Sequence, residues 1–366
     1  MSIIKDIAAK HENLPWLESR CIYLTRHGSH AYGTNIASSD EDFKGVAIPT
    51  EEYFFGCNKV FEQSITSEPY DCVIYDVRKF FSLASECNPS IIEVLWTDPS
   101  DHILVTPIGQ MLLDNKQIFL SRKAKHTFSG YALSQLKRIK LHKRYLDNPP
   151  TAPPTRGDFG LPERTVIPAD QLAAANSAIQ KKIDSWQLDL SEVPDSIRKH
   201  VETQLQTVLL EATTPLWEQA AHNLGYDVNF IELLDKERKY NAKHKEWVNY
   251  LEWKTSRNPD RALLEAKFGY DCKHAMHLVR LLSTCRELLT TGKVTVKRPD
   301  REQLLAIRNG AWSYDKMIEW AENEDKELDE LRHSSPLPRA PDHNAIDALC
   351  VRMVKESLNG DVNGME

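Results

Sequence analysis

The chain has 366 residues, of which 41% are hydrophobic and 27% are charged, and its formal net charge at pH 7 is -7. This composition is typical of a globular protein and excludes a disordered or fibrous one. The mildly acidic balance provides no global field for nucleic acid, so any phosphate binding depends on local basic clusters. Two structural units are expected, because single cores stop growing at roughly 250–300 residues.

The seven cysteines include no CxxC pair, which argues against a disulfide framework and against a zinc knuckle. No apolar run reaches the roughly 20 residues that a bilayer span requires, and the first residues lack the apolar core of a signal peptide. We therefore expect a cytoplasmic protein without a membrane partner.

The first 120 residues alternate short apolar runs with turns and predict a mixed α/β unit. The runs CIYLT, FKGVAIP and YDCVIY predict three strands. Asp76 is placed to cap a following helix that carries an apolar stripe.

From residue 121 to about residue 330 the apolar periodicity is helical, with no convincing strand between Ser121 and Leu289. KVTVKRP is a candidate for one short strand, and the Pro-rich segment DNPPTAPPTRGDFGLPERTVIP predicts an exposed loop. The expected fold is α+β, with a small mixed sheet over residues 1–120 and a helical domain over residues 121–330 that completes the substrate cleft. Residues 331–366 predict a linker, a helix and a disordered tail.

The stretch HGSHAYGTNIASSDEDFKG combines a Gly-Ser pair with two aspartates at i and i+2. A strand that ends in Gly28-Ser29 before a short helix leaves backbone N–H groups and one hydroxyl for phosphate oxygens. Asp40 and Asp42 would share one face of a strand, and two adjacent carboxylates repel unless a cation such as Mg²⁺ lies between them. The pattern therefore predicts a site for a metal and the phosphates of a nucleotide.

A two-metal site calls for a third carboxylate. YDCVIYDV offers Asp71, inside the predicted strand, and Asp76, where the helix cap belongs. We favour Asp71 and keep Asp76 as the alternative.

GS followed by SDEDFKG resembles the signature of the DNA polymerase β-like nucleotidyltransferase superfamily. Three further blocks, GYALSQLKR, RNPDRALLEAKFGYDCKHAMHLVRLL and TTGKV followed by LLAIRNGAWS, are similar to the RNA repair pathway polymerase β family. That family consists of predicted nucleotidyltransferases often encoded beside RNA ligases. The resemblance spans about residues 20–320.

The resemblance implies a small mixed sheet flanked by helices, and a dependence on Mg²⁺ or Mn²⁺. It implies transfer of a nucleoside monophosphate from an NTP to a hydroxyl, with release of pyrophosphate. Gly28 and Ser29 match the triphosphate-binding pair, and Asp40 and Asp42 match the metal ligands. Asp71 matches the third carboxylate less securely.

Basic residues are concentrated on two predicted helices. Between Ser121 and Tyr145 there are eight Lys or Arg and no acid, a local excess that suits a nucleic-acid backbone. The candidates for nucleic-acid contact are Arg122, Lys123, Lys137 and Arg138. A solvated helix face is the alternative interpretation.

On the helix DCKHAMHLVRLLSTCRELL, Lys273, His277 and Arg280 fall at i, i+4 and i+7 and share one face. These three potential cations predict a nucleotide-binding face that favours the leaving pyrophosphate. His274 and His277 lie three residues apart, and with Asp271 they could suggest a metal site. An HxxH pair without a third strong ligand is weak evidence for one, so His274 is interpreted as a core histidine.

The expected function is a nucleotidyltransferase that uses an NTP and an RNA acceptor, with an RNA ligase of the same pathway as a candidate partner. A close alternative transfers the nucleotide to a protein or small-molecule hydroxyl. A non-catalytic nucleotide or RNA sensor, or a helical protein-interaction scaffold, represents a different class. A sensor would bind NTP and release no pyrophosphate.

Overall fold

The computed structural model describes residues 3–68, 70–186 and 216–362. The chain divides into two compact units. We call Met1–Asp147 with Asn258–Glu366 the sheet unit, and Asn148–Arg257 the inserted unit.

The sheet unit contains a five-stranded mixed sheet with the order β3-β4-β2-β1-β5. Its strands are β1 Cys21–His27, β2 Asp42–Ala47, β3 Gln63–Thr66, β4 Asp71–Asp76 and β5 His102–Val105. Strands β2 and β4 are parallel, whereas the other three pairings are antiparallel. The three predicted strands are confirmed as β1, β2 and β4; β3 and β5 are additional.

Helices precede, connect and follow the strands. Before the inserted unit they are α1 Ile3–Ala8, α2 Leu17–Arg20, α3 Gly28–Tyr32, α4 Glu52–Phe55, α5 Val77–Ser85, α6 Pro89–Leu95, α7 Pro107–Asp114 and α8 Ala124–Asp147. The inserted unit has α9 Ala169–Trp186, α10 Leu216–Asn223 and α11 Val228–Ser256. After it come α12 Pro259–Phe268, α13 Cys272–Thr291, α14 Arg301–Arg308, α15 Tyr314–Ser334 and α16 His343–Val362. Short 3₁₀ helices cover Pro99–Asp101, Lys116–Phe119 and Gly157–Phe159.

These elements confirm the α+β fold class, with an N-terminal sheet and C-terminal helices. The division into units does not follow the expected boundary at residue 120. Helix α8 buries Phe128 and Ile139 in the same core as Phe80 of α5 and Leu282 of α13. Each such side chain contributes about 1.5–3 kcal/mol when removed from water, so α8 and α13 stay with the sheet.

The other face of the sheet has its own core. Leu24, Phe43 and Cys72 pack there with Ile7 and Leu17 of the first two helices. The sheet is therefore covered on both faces, and ligands reach it at the ends of its strands.

Two local expectations differ from the structure. KVTVKRP forms no strand, and its Arg298 instead donates to Thr295 O, Glu287 and Asp300. Helix α16 continues through residues 359–362, which were expected to be disordered; residues 363–366 lie outside the described part of the chain.

The inserted unit has a small apolar core that includes Ile179, Ala220 and Leu234. Arg156, from the Pro-rich segment, forms a bidentate ion pair with buried Glu237, with Nη1 3.0 Å from Oε2. The hydrogen bonds from Arg156 lower the pKa of Glu237 below its ordinary value. The Pro-rich segment is therefore anchored at one point, although most of it is exposed as predicted.

Among the described helices, none has both the length and the apolar character needed to cross a membrane.

Candidate active site

A cavity of about 440 Å³ opens at one end of the sheet. It brings together all eight residues predicted for catalysis and nucleotide binding, from segments that lie up to 252 residues apart in the sequence. These are Gly28, Ser29, Asp40, Asp42, Asp71, Lys273, His277 and Arg280. The volume lies within the roughly 300–1,000 Å³ that is usual for ligand pockets.

Gly28 is the point where β1 gives way to α3, and it has a left-handed φ of 65°. A Cβ at this position would lie 1.9 Å from Oδ2 of Asp42. Backbone and carboxylate therefore approach each other more closely than any L side chain permits. Ser29 follows on the wall of the cavity, as the Gly-Ser motif predicts.

Three strands place their side chains in one row beside Gly28. His27 of β1 pairs with Asp42 of β2, and Asp42 pairs with Asp71 of β4 in the parallel register. Paired residues project from the same face of a sheet, so the two carboxylates are neighbours. Asp40 also lines the cavity, but it lies in the exposed loop before β2 rather than in the strand.

Asp71 and Asp76 begin and end the same strand and have different surroundings. Asp71 is exposed at the cavity. Asp76 is buried, caps α5 by accepting from the Arg78 backbone N–H at 2.7 Å, and forms an ion pair with the Arg78 side chain. The geometry therefore supports Asp71 as the third carboxylate, and its chemical role stays a prediction.

The carboxylates raise the energy of one another's charged forms. Burial, followed by the negative charges of Asp71 and Asp40, raises the pKa of Asp42. Hard divalent cations prefer carboxylate oxygens, and an ion held here would relieve this repulsion. Together with the cradle at Gly28, which a Cβ would fill, the donor set fits Mg²⁺ or Mn²⁺.

Basic side chains also line the cavity. Lys44 comes from β2, Lys273 and Arg280 from α13, and Arg308 from the end of α14. Burial lowers the pKa of Lys44, of Lys273 and of Arg308, because each loses solvation. Carboxylates and cations therefore lie close together in this cavity, which suits a metal-bound polyphosphate.

Arg280 is tied more firmly than the other cations. Its guanidinium forms an ion pair with Glu93 and lies 3.7 Å from the centre of the Tyr32 ring. Tyr32 donates from its hydroxyl to the other Glu93 oxygen at 2.7 Å. Glu93 offsets much of the Arg280 charge, although the buried Nε of Arg280 has no hydrogen-bond partner among the described residues.

The two histidines of the cavity are uncharged at neutral pH. Burial, then the charges of Arg280 and Lys273, lowers the pKa of His277 well below its ordinary value. Burial and the charges of Lys44 and Arg280 do the same for His27, whose Nε2 is buried without a hydrogen-bond partner among the described residues. The sequence interpretation counted His277 as a potential cation; in the folded chain it offers a hydrogen bond instead.

The four residues predicted to contact nucleic acid do not line this cavity. Arg122 donates its guanidinium hydrogens to the carbonyl oxygens of His333, Ser335 and Leu337, and Lys123 pairs with Glu86. Lys137 and Arg138 are exposed on α8. The folded chain also supplies acids that the local sequence lacks.

Helix α15 provides these acids to other basic residues of α8. Asp325 and Asp329 contact Lys125, and Glu322 contacts Lys140. The basic segment is therefore partly compensated by a helix that follows it by about 180 residues.

Sequence reasoning missed Lys44, Arg308, Tyr32 and Glu93. Lys44 stands two residues after Asp42 in the same strand, so the alternation of side chains would have placed it on the same face. Arg308 lies in LLAIRNGAWS, a block quoted for the resemblance. Glu93 and Tyr32 carry no spacing signal.

Residues 3–147 match the sequence model of a family described as RlaP, RNA repair pathway DNA polymerase beta family. The uncharacterized protein YcgL of Bacillus subtilis is 21% identical over 212 residues, which cover 52% of this chain and 80% of that protein. An uncharacterized 38.9 kDa protein of phage T4, from the nrdC-mobD intergenic region, is 25% identical over 122 residues, or 30% of this chain and 36% of that protein. No solved structure matches. The match over residues 3–147 confirms the predicted resemblance to the RNA repair pathway DNA polymerase β family.

Proposed function

We propose that this chain is a nucleotidyltransferase that transfers a nucleoside monophosphate from an NTP to a hydroxyl acceptor. The observation that carries the proposal is the pairing of Asp42 with Asp71 on parallel strands, beside the close approach of Asp42 to Gly28. Basic side chains line the same cavity of about 440 Å³. The family match supports the same reaction class.

Asp40, Asp42 and Asp71 are the residues that would hold Mg²⁺ or Mn²⁺. When bound, such an ion supplies Lewis-acid polarisation of phosphoryl oxygens and a lower pKa for a coordinated hydroxyl. The presence of carboxylates and cations in one cavity supports a substrate whose metal-binding and phosphate-binding parts are adjacent.

The remaining residues of the cavity bind and orient the triphosphate. Ser29 donates from its hydroxyl to phosphate oxygens, and Lys273 and Arg308 neutralise the charge that develops on pyrophosphate. Neutral His277 adds a hydrogen bond without adding charge.

The reaction is an exchange of two bonds at the α phosphorus. A bond forms between the acceptor oxygen and the α phosphorus, and the bond from that phosphorus to the bridging oxygen breaks. Pyrophosphate leaves with the electron pair, and the acceptor's proton passes to Asp71 or to solvent.

An RNA end is the acceptor that we propose. The description of the matched family refers to RNA repair, and the exposed Lys137 and Arg138 offer charges to a phosphate backbone. An RNA ligase that uses the product end is the corresponding candidate partner.

The test is incubation of the purified protein with Mg²⁺ or Mn²⁺, each α-labelled NTP in turn, and RNA with defined ends. We expect label in RNA with the native chain, and none with Asp42→Asn or Asp71→Asn. Glu41→Gln is the matched control, because Glu41 belongs to the same DED motif but contacts Arg26 at 3.2 Å.

Each other outcome has a definite meaning. Label on protein or on a small molecule would replace RNA as the acceptor and keep the reaction class. Protection from heat by NTP without release of pyrophosphate would favour the sensor. Full transfer activity in both Asp42→Asn and Asp71→Asn would overturn the proposal.

A further inference from the structure

A second polar cluster lies where α8, α12 and the start of α13 meet in the sheet unit. His142, Glu265 and Asp271 each place one potential ligand atom within 4.8 Å of the others. Glu265 and Asp271 are 2% exposed, and none of the three lines the cavity described above.

His274 extends the trio to four potential ligands. Its Nε2 lies 3.5 Å from Oδ2 of Asp271, and its ring centre lies 6.0 Å from that of His142. The Nδ1 atom of His142 lies 3.4 Å from Oε1 of Glu265. One imidazole and two carboxylates therefore share one small volume, and the imidazole of His274 lies beside it, next to Asp271.

These separations suit one particular kind of ion. Two ligands of a tetrahedral Zn²⁺, with bonds of about 2.0–2.1 Å, lie about 3.3–3.4 Å from each other. The two measured pairs, at 3.4 and 3.5 Å, are close to that spacing before any adjustment. Imidazole and carboxylate together suit Zn²⁺ better than carboxylates alone do.

Unsatisfied polar atoms supply an independent indication of a ligand. Oδ2 of Asp271 and Nδ1 of His274 are buried and have no hydrogen-bond partner among the described residues. The side chain of Asp271 is 2% exposed, so water does not compensate for the missing bond. A cation bound between the imidazoles and carboxylates would satisfy Oδ2.

Arg261 currently occupies the edge of this volume. Its Nη1 lies 3.8 Å from Oδ2 of Asp271 and 3.2 Å from Nε2 of His274. The Arg261 side chain is 35% exposed, so it can turn towards solvent when an ion takes its place.

We infer that His142, Glu265 and Asp271 bind one Zn²⁺ ion in a structural site, and that His274 moves in from beside Asp271 to complete four-coordination. The ion joins three helical segments, and two of its ligands flank Lys273 of the cavity. It therefore holds the first turn of α13 in position without touching the substrate. This inference does not depend on the proposed transfer reaction.

The experiment is a titration of the metal-stripped full chain with Zn²⁺ in competition with a chromophoric chelator. We expect one tightly bound equivalent in the native chain. His142→Ala and His274→Ala should weaken it by about 100-fold or more, since loss of even an outer-shell partner of a metal ligand costs about 10–100-fold.

Two control variants separate this site from other metal-binding groups. His126→Ala removes an exposed histidine of the same helix α8, and Asp42→Asn removes a carboxylate of the cavity. Both should keep the tight equivalent. No tight equivalent in the native chain, or unchanged affinity in His142→Ala, would overturn the inference.

Cobalt binding is measured on the native chain, so this test does not depend on whether a variant folds. Co²⁺ bound to the native chain should show the intense visible absorption of a tetrahedral site, and Zn²⁺ should displace it. A weak octahedral spectrum would contradict the inference, because oxygen ligands and water would then hold the ion.

Discussion

The cavity at the end of the sheet and the cluster between α8, α12 and α13 both contain carboxylates, but they differ in solvent exposure and in ligand chemistry. Three carboxylates line the cavity and two of them, Asp40 and Asp71, are exposed, whereas Glu265 and Asp271 are buried beside two imidazoles. Exposed oxygen ligands permit an ion to exchange with each substrate, while a buried mixed set retains its ion. This difference is the basis for proposing a catalytic ion in the cavity and a structural ion in the buried cluster.

The largest effect that we expect distinguishes Asp71, at the start of β4, from Asp76, at its end. Asp71→Ala should lower transfer by about 10²–10³-fold, because the interactions of a catalytic metal contribute several kcal/mol, and it should leave the melting temperature unchanged. Asp76→Ala should instead destabilise the chain by about 0.5–2 kcal/mol through loss of the α5 cap. Steady-state kinetics and thermal unfolding of both variants measure the contrast. Equal loss of activity without loss of stability would assign Asp76 to the site.

Zinc should stabilise the native chain through the buried cluster. At 100 times its dissociation constant, a ligand that binds only the folded state adds about 2.7 kcal/mol. The shift in unfolding midpoint should persist in Asp42→Asn and vanish in His142→Ala. If the shift instead vanished in Asp42→Asn and persisted in His142→Ala, the cavity rather than the buried cluster would hold the zinc.

The Arg156–Glu237 pair of the inserted unit serves as a comparison for the two clusters, because the Arg156 side chain already pairs with the Glu237 carboxylate. Glu237→Gln should cost about 2 kcal/mol at pH 7, as expected for charge-assisted hydrogen bonds. The folded-state pKa of Glu237 is lowered, so this stability is present above the unfolded pKa and is lost as the pH falls through the folded pKa. Denaturant unfolding between pH 7 and pH 3 should show the two chains converging. If added metal changed the difference in unfolding free energy between the native chain and Glu237→Gln, the assignment of Arg156 as the partner of Glu237 would be contradicted.

The smallest effect concerns the cations of the cavity. Lys273→Ala should raise the KM for NTP roughly tenfold, the loss of one charge-assisted contact of about 1.4 kcal/mol. Lys316→Ala is a suitable control, because Lys316 contacts the Trp312 ring and does not line the cavity. An unchanged KM in Lys273→Ala would remove this residue from the phosphate-binding set.

The sequence predicted the part of the site that depends on neighbours in the chain. Gly28, Ser29, Asp40 and Asp42 lie within one short stretch, and strand alternation fixes which side chains share a face. Asp71 was favoured over Asp76 because it lies inside the predicted strand YDCVIY. The parallel register that places it beside Asp42 is a tertiary feature, and it became visible only in the fold.

The remainder could not be predicted because it depends on contacts between distant segments. The compensation of Lys125 by Asp325, and the approach of His142 to Glu265, join residues more than 120 positions apart. No local spacing records such contacts. The lowered pKa of His277 likewise follows from burial by the whole fold rather than from its position on α13.

The sheet unit is discontinuous in sequence, since residues 148–257 intervene between α8 and α12. The stretch that matches the family ends at residue 147, whereas Lys273 and Arg308 come later in the chain. At a synthesis rate of about 5–20 residues per second, roughly 6–22 s separate the two parts on the ribosome. The apolar face of α8 that packs against α13 stays unburied until α13 emerges. The nascent chain therefore acquires a complete cavity only after most of its length has been made.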